Sequence, residues 1–352
     1  VRTSERKING IFEVGNETEL IDVEKVYQRK TPKEHVLLRP GMYVGSTSKI
    51  KESMIVFEKK SKRLVLKDNH SYIPGLVKIF DEILVNAADN AQRSKSTTRI
   101  DVSFDGDAIT VRNNGEGIPV RMHEKEGMFV PELIFGHLMT GSNFDDSSAK
   151  LTGGRHGYGA KLTNILSTEF HVETLDTLSK KHFRQTWNNH MEPVGKAIIS
   201  EIGAEAEDYT QISFVPDVRI FGLSKVDNGS KSVMLKRVYD VAGILAPAVM
   251  VTLNGKQLKM NSFSDYVQGY FAKEKLNPVF YSKERWQVAI CVHPNGTGSS
   301  VLPSSSNGMN QVSFVNNMAT NRGGTHVQYI MDQITTHVTE YVNQHKSMQS
   351  RG

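Results

Sequence analysis

Residues 75–93 read GLVKIFDEILVNAADNAQR, and the rest of the chain is organised around them. Leu76, Ile79, Ile83 and Ala87 recur at helical spacing, so one stripe of this helix faces a core. Glu82, Asn86, Asp89 or Asn90, and Arg93 fall on a different face, one turn above the next. A carboxylate one turn from a carboxamide, on a helix whose other side is apolar, can activate water and bind a metal. The competing reading of such a face is a solvated polar surface.

Downstream of this helix, Arg99–Phe104 and Ala108–Arg112 read as two strands joined by the turn Asp105-Gly106-Asp107. The run Asn113-Asn114-Gly115-Glu116-Gly117-Ile118-Pro119 then breaks the second strand. Gly115 and Gly117 let the backbone bend tightly, so a flat group can lie against it without meeting a Cβ. Asn113 offers both a donor and an acceptor, which suits the edge of a purine. A helix is expected over Pro131–Met139, ending before Gly141-Ser142-Asn143. The glycine-rich run Gly153–Lys161 leads into another helix that starts near Ala160. Amides of such a loop, with the positive end of a helix, make a cradle for phosphate oxygens. Lys161 falls in the first turn, where a cation is disfavoured unless an anion is bound nearby. The spacing matches neither Walker A nor the dinucleotide fingerprint.

Upstream, residues 1–19 are polar and of mixed charge, an arm rather than a packed element. The pattern is helical over Ile21–Arg39, with Thr31-Pro32 as a cap and first helical residue. Leu38–Tyr43 is a punctuated loop expected to pack onto the core. Residues 51–73 read as a strand pair crossed by the basic run Lys59, Lys60, Lys62 and Arg63, a solvated hairpin. Beyond the glycine-rich run, strands fill 170–221, a helix covers 223–247, and Val251–Lys256 is a strand entering a turn. Composition shifts near residue 258, which is the expected domain boundary. After it, Trp286–Val292 is expected to pair with Gln311–Asn317 across a Ser-, Gly- and Pro-rich loop at 294–310. Residues 325–342 form an amphipathic helix whose stripe of Val327, Ile330, Met331, Ile334, Val338 and Tyr341 is expected to be core packing.

At 352 residues the chain exceeds what one core usually holds, so two domains are expected. With 38% hydrophobic and 23% charged residues, the composition is that of a globular protein and excludes a disordered or fibrous one. No apolar run approaches the roughly 18 residues a membrane span needs, and no secretory signal is evident. The single cysteine, Cys291, excludes an internal disulfide and is expected to be a small buried hydrophobe in a strand. A net charge of +5 permits a nucleic-acid partner without demanding one.

Glu82, Asn86, Asn113 with its two glycines, and the Gly153–Lys161 loop form an ordered set. The chain resembles the ATPase regions of eukaryotic type IIA DNA topoisomerases, members of the GHKL (Bergerat-fold) ATPases. Further matches are Tyr27–Thr31, Glu34–Pro40, Asp81–Asn90, Gln185–Trp187, Asp208–Thr210 and Ser313–Asn316, so the likeness runs from about 21 to 342. It implies an α+β chain: a Bergerat ATPase α/β sandwich over 21–258, preceded by an N-terminal arm over 1–20. A partial transducer domain of ribosomal-protein-S5-like α/β fold would follow over 259–352. The resemblance implies that Glu82 is the general base and that Asn86 coordinates Mg²⁺. Asn90, Asn113 and Gly117 would bind ATP, Asn113 on its adenine side. Gly141, Ser142 and Asn143 would touch ribose and α-phosphate. Gly154, Arg155, His156, Gly157, Tyr158, Gly159, Ala160 and Lys161 would form a lid over the triphosphate. His123 and His137 have no metal-ligand partners at recognised spacing and receive no role.

The family's Gln-Thr-Lys loop, whose lysine reaches the γ-phosphate, does not occur in these 352 residues. The expectation is therefore an N-terminal fragment that binds nucleotide and hydrolyses it slowly. What the resemblance implies is an ATP-operated gate in a nuclear enzyme. Two copies, joined through the arm and the ATPase domain, would close over double-stranded DNA when ATP binds. A GHKL ATPase of another trade is disfavoured by the matches outside the ATP motifs. A histidine kinase would need an acceptor histidine on a helix before those motifs, and His35 lies in a loop instead. A non-enzymatic, nucleotide-sensing dimerisation module is the remaining reading.

Overall fold

The computed structural model describes residues 23–58, 60, 63–140, 157–271, 276–292 and 310–349. The chain enters through α1 (Val23–Val26) and α2 (Pro32–Leu38). His35, expected in a loop, lies in α2, because the Thr31 cap starts the helix ahead of it; its ring bonds to the Tyr43 hydroxyl at 2.7 Å. The Thr31 hydroxyl accepts from the Glu34 N–H at 3.2 Å, and the Glu34 carboxylate accepts from the Thr31 N–H at 2.7 Å. This reciprocal cap explains why the helical pattern over 21–39 is broken in two, since the residue before Pro32 must be extended. After the turn α3 (Gly41–Val44), β1 (Ile50–Glu58) and β2 (Arg63–Tyr72) form an antiparallel pair. β2 feeds α4 (Pro74–Arg93), with Pro74 in the first turn where no N–H is missed.

β3 (Arg99–Asp105) and β4 (Ala108–Asn114) form the expected hairpin, turning through Gly106 at φ +59°. A small hairpin, β5 (Met122–His123) and β6 (Met128–Phe129), leads into α5 (Val130–Gly136). This helix ends three residues before Met139. The Thr140 hydroxyl donates to the carbonyls of Leu133 and His137, closing the last turn. α6 (Gly159–Ile165) is followed by β7 (Ser167–Asp176), β8 (Lys181–Asn188), β9 (Glu192–Pro193), β10 (Ile198–Glu201) and β11 (Tyr209–Pro216). α7 (Asn228–Leu245) starts later than residue 223 because Asp227 caps it, accepting from the Ser230 N–H at 3.0 Å. β12 (Met250–Leu253) and β13 (Lys256–Gln257) close this part.

The strands form one sheet of order β10-β8-β7-β11-β4-β3-β12-β13, with β9 on the edge of β8. All neighbours are antiparallel except β12 and β3. α4, α6 and α7 pack against it in a second layer. The main core joins Leu76, Ile79, Phe80 and Ile83 of α4 to Ile109 and Val111 of β4, Phe170 and Val172 of β7, and Met234 and Val238 of α7. The stripe read from residues 75–93 is thus the face that holds α4 on the sheet.

The remainder holds α8 (Phe263–Tyr270), β14 (Val279–Lys283), β15 (Trp286–Ile290), β16 (Phe314–Val315), β17 (Met318–Ala319) and α9 (Thr325–Gln349). The expected pairing of 286–292 with 311–317 does not occur. β15 pairs with β14 across a tight turn containing Glu284 at φ +51°, and β16 pairs with β17. Asn316 and Asn317, at φ +48° and +66°, supply the left-handed turn that the second hairpin needs. Each run therefore has a local partner. Cys291 lies just past β15 and is only partly buried, with its thiol near the Val292 carbonyl, not the buried strand hydrophobe expected. The α9 stripe is not a core face either. Val327, Ile330, Met331 and Ile334 are half-buried, whereas Val338 and Tyr341 are 55% and 61% exposed. Periodicity gives such a stripe its direction, but only a facing surface makes it core. The loop expected at 294–310 lies almost wholly outside the described residues.

Candidate functional site

Glu82 and Asn86 lie on α4 one turn apart, both half-buried. Lys78, one turn earlier, forms an ion pair with Glu82. The other oxygen of the Glu82 carboxylate rests on the backbone of Gly159, so closely that a Cβ there would sit inside the carboxylate. α4 and α6 therefore meet at Glu82, and a glycine is what permits the contact. A second tie between them is the Thr163 hydroxyl, which donates to the Ile79 carbonyl at 2.8 Å.

Asn90 belongs to the same polar face. Its side-chain nitrogen donates to the Glu116 carbonyl at 3.1 Å and to the Thr97 hydroxyl at 3.2 Å. Helix α4 is thereby tied to the turn that follows β4. Asn113, the buried residue before that turn, donates through Nδ2 to the Asn114 carbonyl at 3.1 Å. Gly115 adopts φ +84°, and a Cβ there would collide with the backbone of Thr97. At Gly117 a Cβ would collide with the Leu175 carbonyl of β7. Both glycines let the turn lie flat on its neighbours, which is why a residue with a side chain does not occur at either.

On α6, Lys161 is 2% exposed. Its ammonium donates to the carbonyl oxygens of Thr140 and Gly157, and among the described residues it has no carboxylate partner. Burial lowers its pKa to about 8. Gly157 sits at φ +66°, Tyr158 is half-buried against the core, and Ala160 is buried in it. Gly141, Ser142, Asn143, Gly154, Arg155 and His156 lie outside the described residues.

The structure thus brings Glu82 onto Gly159 of α6, places Asn86 one turn further along the same face of α4, and links Asn90 to the Asn113–Gly117 turn. The choice between Asp89 and Asn90 falls to Asn90, because Asp89 is buried on the next stripe. Three participants were not read from the sequence. Thr174, buried in β7, accepts from the Ile118 N–H and donates to the Tyr209 carbonyl, each at 3.0 Å. Asp176 accepts from the Val120 N–H at 3.0 Å. A threonine in an otherwise apolar inward stripe was the available hint for Thr174; for Asp176 there was none. Lys78 was readable as a partner of Glu82 from spacing alone.

A carboxylate and a carboxamide on one face of α4, with a buried cation on the neighbouring helix α6 whose described partners are carbonyls, make a donor set suited to a phosphorylated ligand with a hard metal ion. Among the described residues no group of three or more His, Cys, Asp or Glu could hold a metal by itself.

The family model of "Histidine kinase-, DNA gyrase B-, and HSP90-like ATPase" matches residues 72–200, a span that contains Glu82, Asn113 and Lys161. The "DNA gyrase B" model matches residues 262–352. The chain is similar to the ATPase region of Saccharomyces cerevisiae topoisomerase II, at 41% identity and TM-score 0.82, over 91% of this chain and 82% of that one. It belongs to the DNA topoisomerase II ATPase-region family. The ATPase and transducer domains of Balamuthia mandrillaris DNA topoisomerase II are likewise similar, at 44% identity and TM-score 0.82, over 91% of this chain and 79% of theirs. Arabidopsis thaliana DNA topoisomerase 2 is 42% identical over 91% of the chain but only 21% of its own length. The chain therefore spans about a fifth of the full-length topoisomerases it matches. It has the α+β architecture of that family's ATPase region. No helix among the described residues is long and apolar enough to cross a membrane.

Proposed function

We propose that this chain binds and hydrolyses ATP in the pocket between α4, the Asn113–Gly117 turn and α6, as the N-terminal gate of a type II DNA topoisomerase. The observation that carries the reading is the buried Lys161 ammonium, held by carbonyls alone and placed on the helix whose first residue carries the Glu82 carboxylate. A buried cation without an anion is costly, and a triphosphate would supply that anion. Asn113 would read the adenine edge, and Gly141 to Asn143 with Gly154 to Lys161 would enclose ribose and phosphates.

Glu82 acts as the general base. It orients a water and takes its proton as the oxygen attacks the γ-phosphorus and ADP departs with the electron pair of the broken P–O bond. Lys78 holds that carboxylate in place before nucleotide arrives. Asn86 is the residue that would hold Mg²⁺, which when bound neutralises charge on the phosphate oxygens. Lys161 sets its charge against the same oxygens.

At the level of the whole enzyme, two copies would close on ATP binding, with the arm over 1–20 reaching the partner, and trap a DNA duplex for strand passage in the nucleus. The boundary near 258 would separate the ATP-binding domain from the second domain, whose family model begins at 262. The test is Glu82→Gln. ATP turnover should fall at least about 100-fold while a non-hydrolysable analogue still binds within a few-fold. Unchanged turnover would leave a nucleotide-sensing dimerisation module in place of an ATPase.

A further inference from the structure

Helix α4 carries two polar stripes side by side. Glu82, Asn86 and Asn90 line one, while Asp81, Asp89 and Gln92 line the next, about 100° around the axis. The second stripe is held by a residue more than 200 positions away in sequence. Asn317, in the turn between β16 and β17, is 2% exposed. Its Nδ2 donates to Asp89 at 3.0 Å, and its Oδ1 accepts from Gln92 at 2.8 Å. Asp89 is itself 5% exposed. Arg237 of α7 completes the arrangement: Nε donates to Asp81 at 2.8 Å and Nη2 to the Asn317 carbonyl at 2.8 Å. Burial alone would loosen the Arg237 proton, but Asp81 and Asp240 beside it hold its pKa above the ordinary guanidinium value.

We propose that Asn317 is a positioning residue for Glu82: the β16–β17 turn sets the rotation of α4 and so couples the second domain to the nucleotide pocket. The inference rests on the reading of that pocket given above. The apolar stripe of α4 fixes its distance from the sheet but is non-directional, so it leaves the helix free to roll slightly. Directional bonds at Asp81, Asp89 and Gln92 oppose that roll from one flank, as the Asn90 bonds and the Thr163 bond to the Ile79 carbonyl do elsewhere on the helix. Side-chain tips on a helix lie about 5 to 6 Å from its axis, so a roll of about 10° moves the Glu82 carboxylate by about 1 Å. A misplacement of about 1 Å is enough to cost on the order of 100-fold in rate. By linkage, nucleotide that orders α4 must also tighten the β16–β17 turn.

The test compares the wild-type 352-residue chain with Asn317→Gly. Glycine keeps the left-handed backbone at this position and removes only the side-chain amide. Hydrogen–deuterium exchange is followed with and without magnesium and a non-hydrolysable ATP analogue, beside steady-state turnover. In the wild type the analogue should slow exchange at 113–118 and, at least about fivefold, at 311–320. In Asn317→Gly the slowing at 113–118 persists and that at 311–320 is lost, while kcat falls about tenfold with KM within about threefold. Gln92→Ala, which opens the network from its solvent-exposed end and leaves the β16–β17 turn intact, should weaken both effects in the same direction. Equal slowing at 311–320 in wild type and variants, or none there in the wild type while 113–118 is protected, overturns the coupling alone. So does an unchanged kcat in both variants. No slowing at 113–118 in the wild type overturns the pocket reading, and the coupling with it.

Discussion

Glu82 and Gly159 make a pair in which one residue's lack of a side chain defines the other's position. The atom that a new Cβ would meet is the end of a flexible carboxylate, which can swing aside without disturbing the backbone. Gly159→Ala should therefore fold with a thermal midpoint within a few degrees of the wild type, yet lose at least about tenfold in turnover as the base is displaced. Full activity in this variant would mean that Glu82 does not act from the place it occupies here. Lys161 makes a second, pH-dependent statement. Its folded pKa of about 8 lies below the ordinary lysine value of 10.5, so between these values the unfolded chain keeps a proton that the folded chain has released. Stability of the nucleotide-free protein should then rise with pH across that window. Urea midpoints at pH 7.5 and 9.5 should show the rise in the wild type and a smaller one in Lys161→Met. Nucleotide affinity should move the other way, weakening as the cation is lost.

The elements owe their mutual placement to close backbone approaches. The turn after β4 lies on β7 through Gly117, where the obstacle to a side chain is the Leu175 carbonyl of a central strand rather than a mobile tip. Gly117→Ala should destabilise the chain by about 1 to 3 kcal/mol, read as a fall in urea midpoint at unchanged slope. Contrasted with Gly159→Ala, it separates a glycine whose neighbour is rigid backbone, so that its loss shows first in stability, from one whose neighbour is a mobile side chain, so that its loss shows first in turnover. α4 is the element where these demands converge: its apolar stripe meets the sheet, one polar stripe meets α6, and the other meets the β16–β17 turn.

For the whole molecule, the gate reading demands that ATP bind a closed pair of chains better than separate ones. Val23 and Val26 of α1 and the following Tyr27 are exposed, leaving apolar surface next to the arm over 1–20 expected to reach across, which lies outside the described residues. Light scattering after size exclusion should show the mass of the 352-residue chain doubling when magnesium and a non-hydrolysable ATP analogue are added. An unchanged mass with analogue bound would count against closure while leaving the pocket intact.

Local rules carried much of this protein. The stripe of α4, the Thr31-Pro32 start of α2, the β3–β4 hairpin, the sharp turn after Asn113 and the helix beginning near Ala160 all depend on periodicity or turn chemistry within a few neighbouring residues. Those forces act before any distant segment is in place, so they are written directly in the order of residues. The choice of Asn90 over Asp89, the local partners of β14 and β16, the exposure of Val338 and Tyr341, and the carbonyl shell of Lys161 could be decided only by the tertiary structure. Each depends on which surface, far along the chain, comes to lie opposite, and burial, which sets the energy of a polar or apolar side chain, exists only once that surface has arrived.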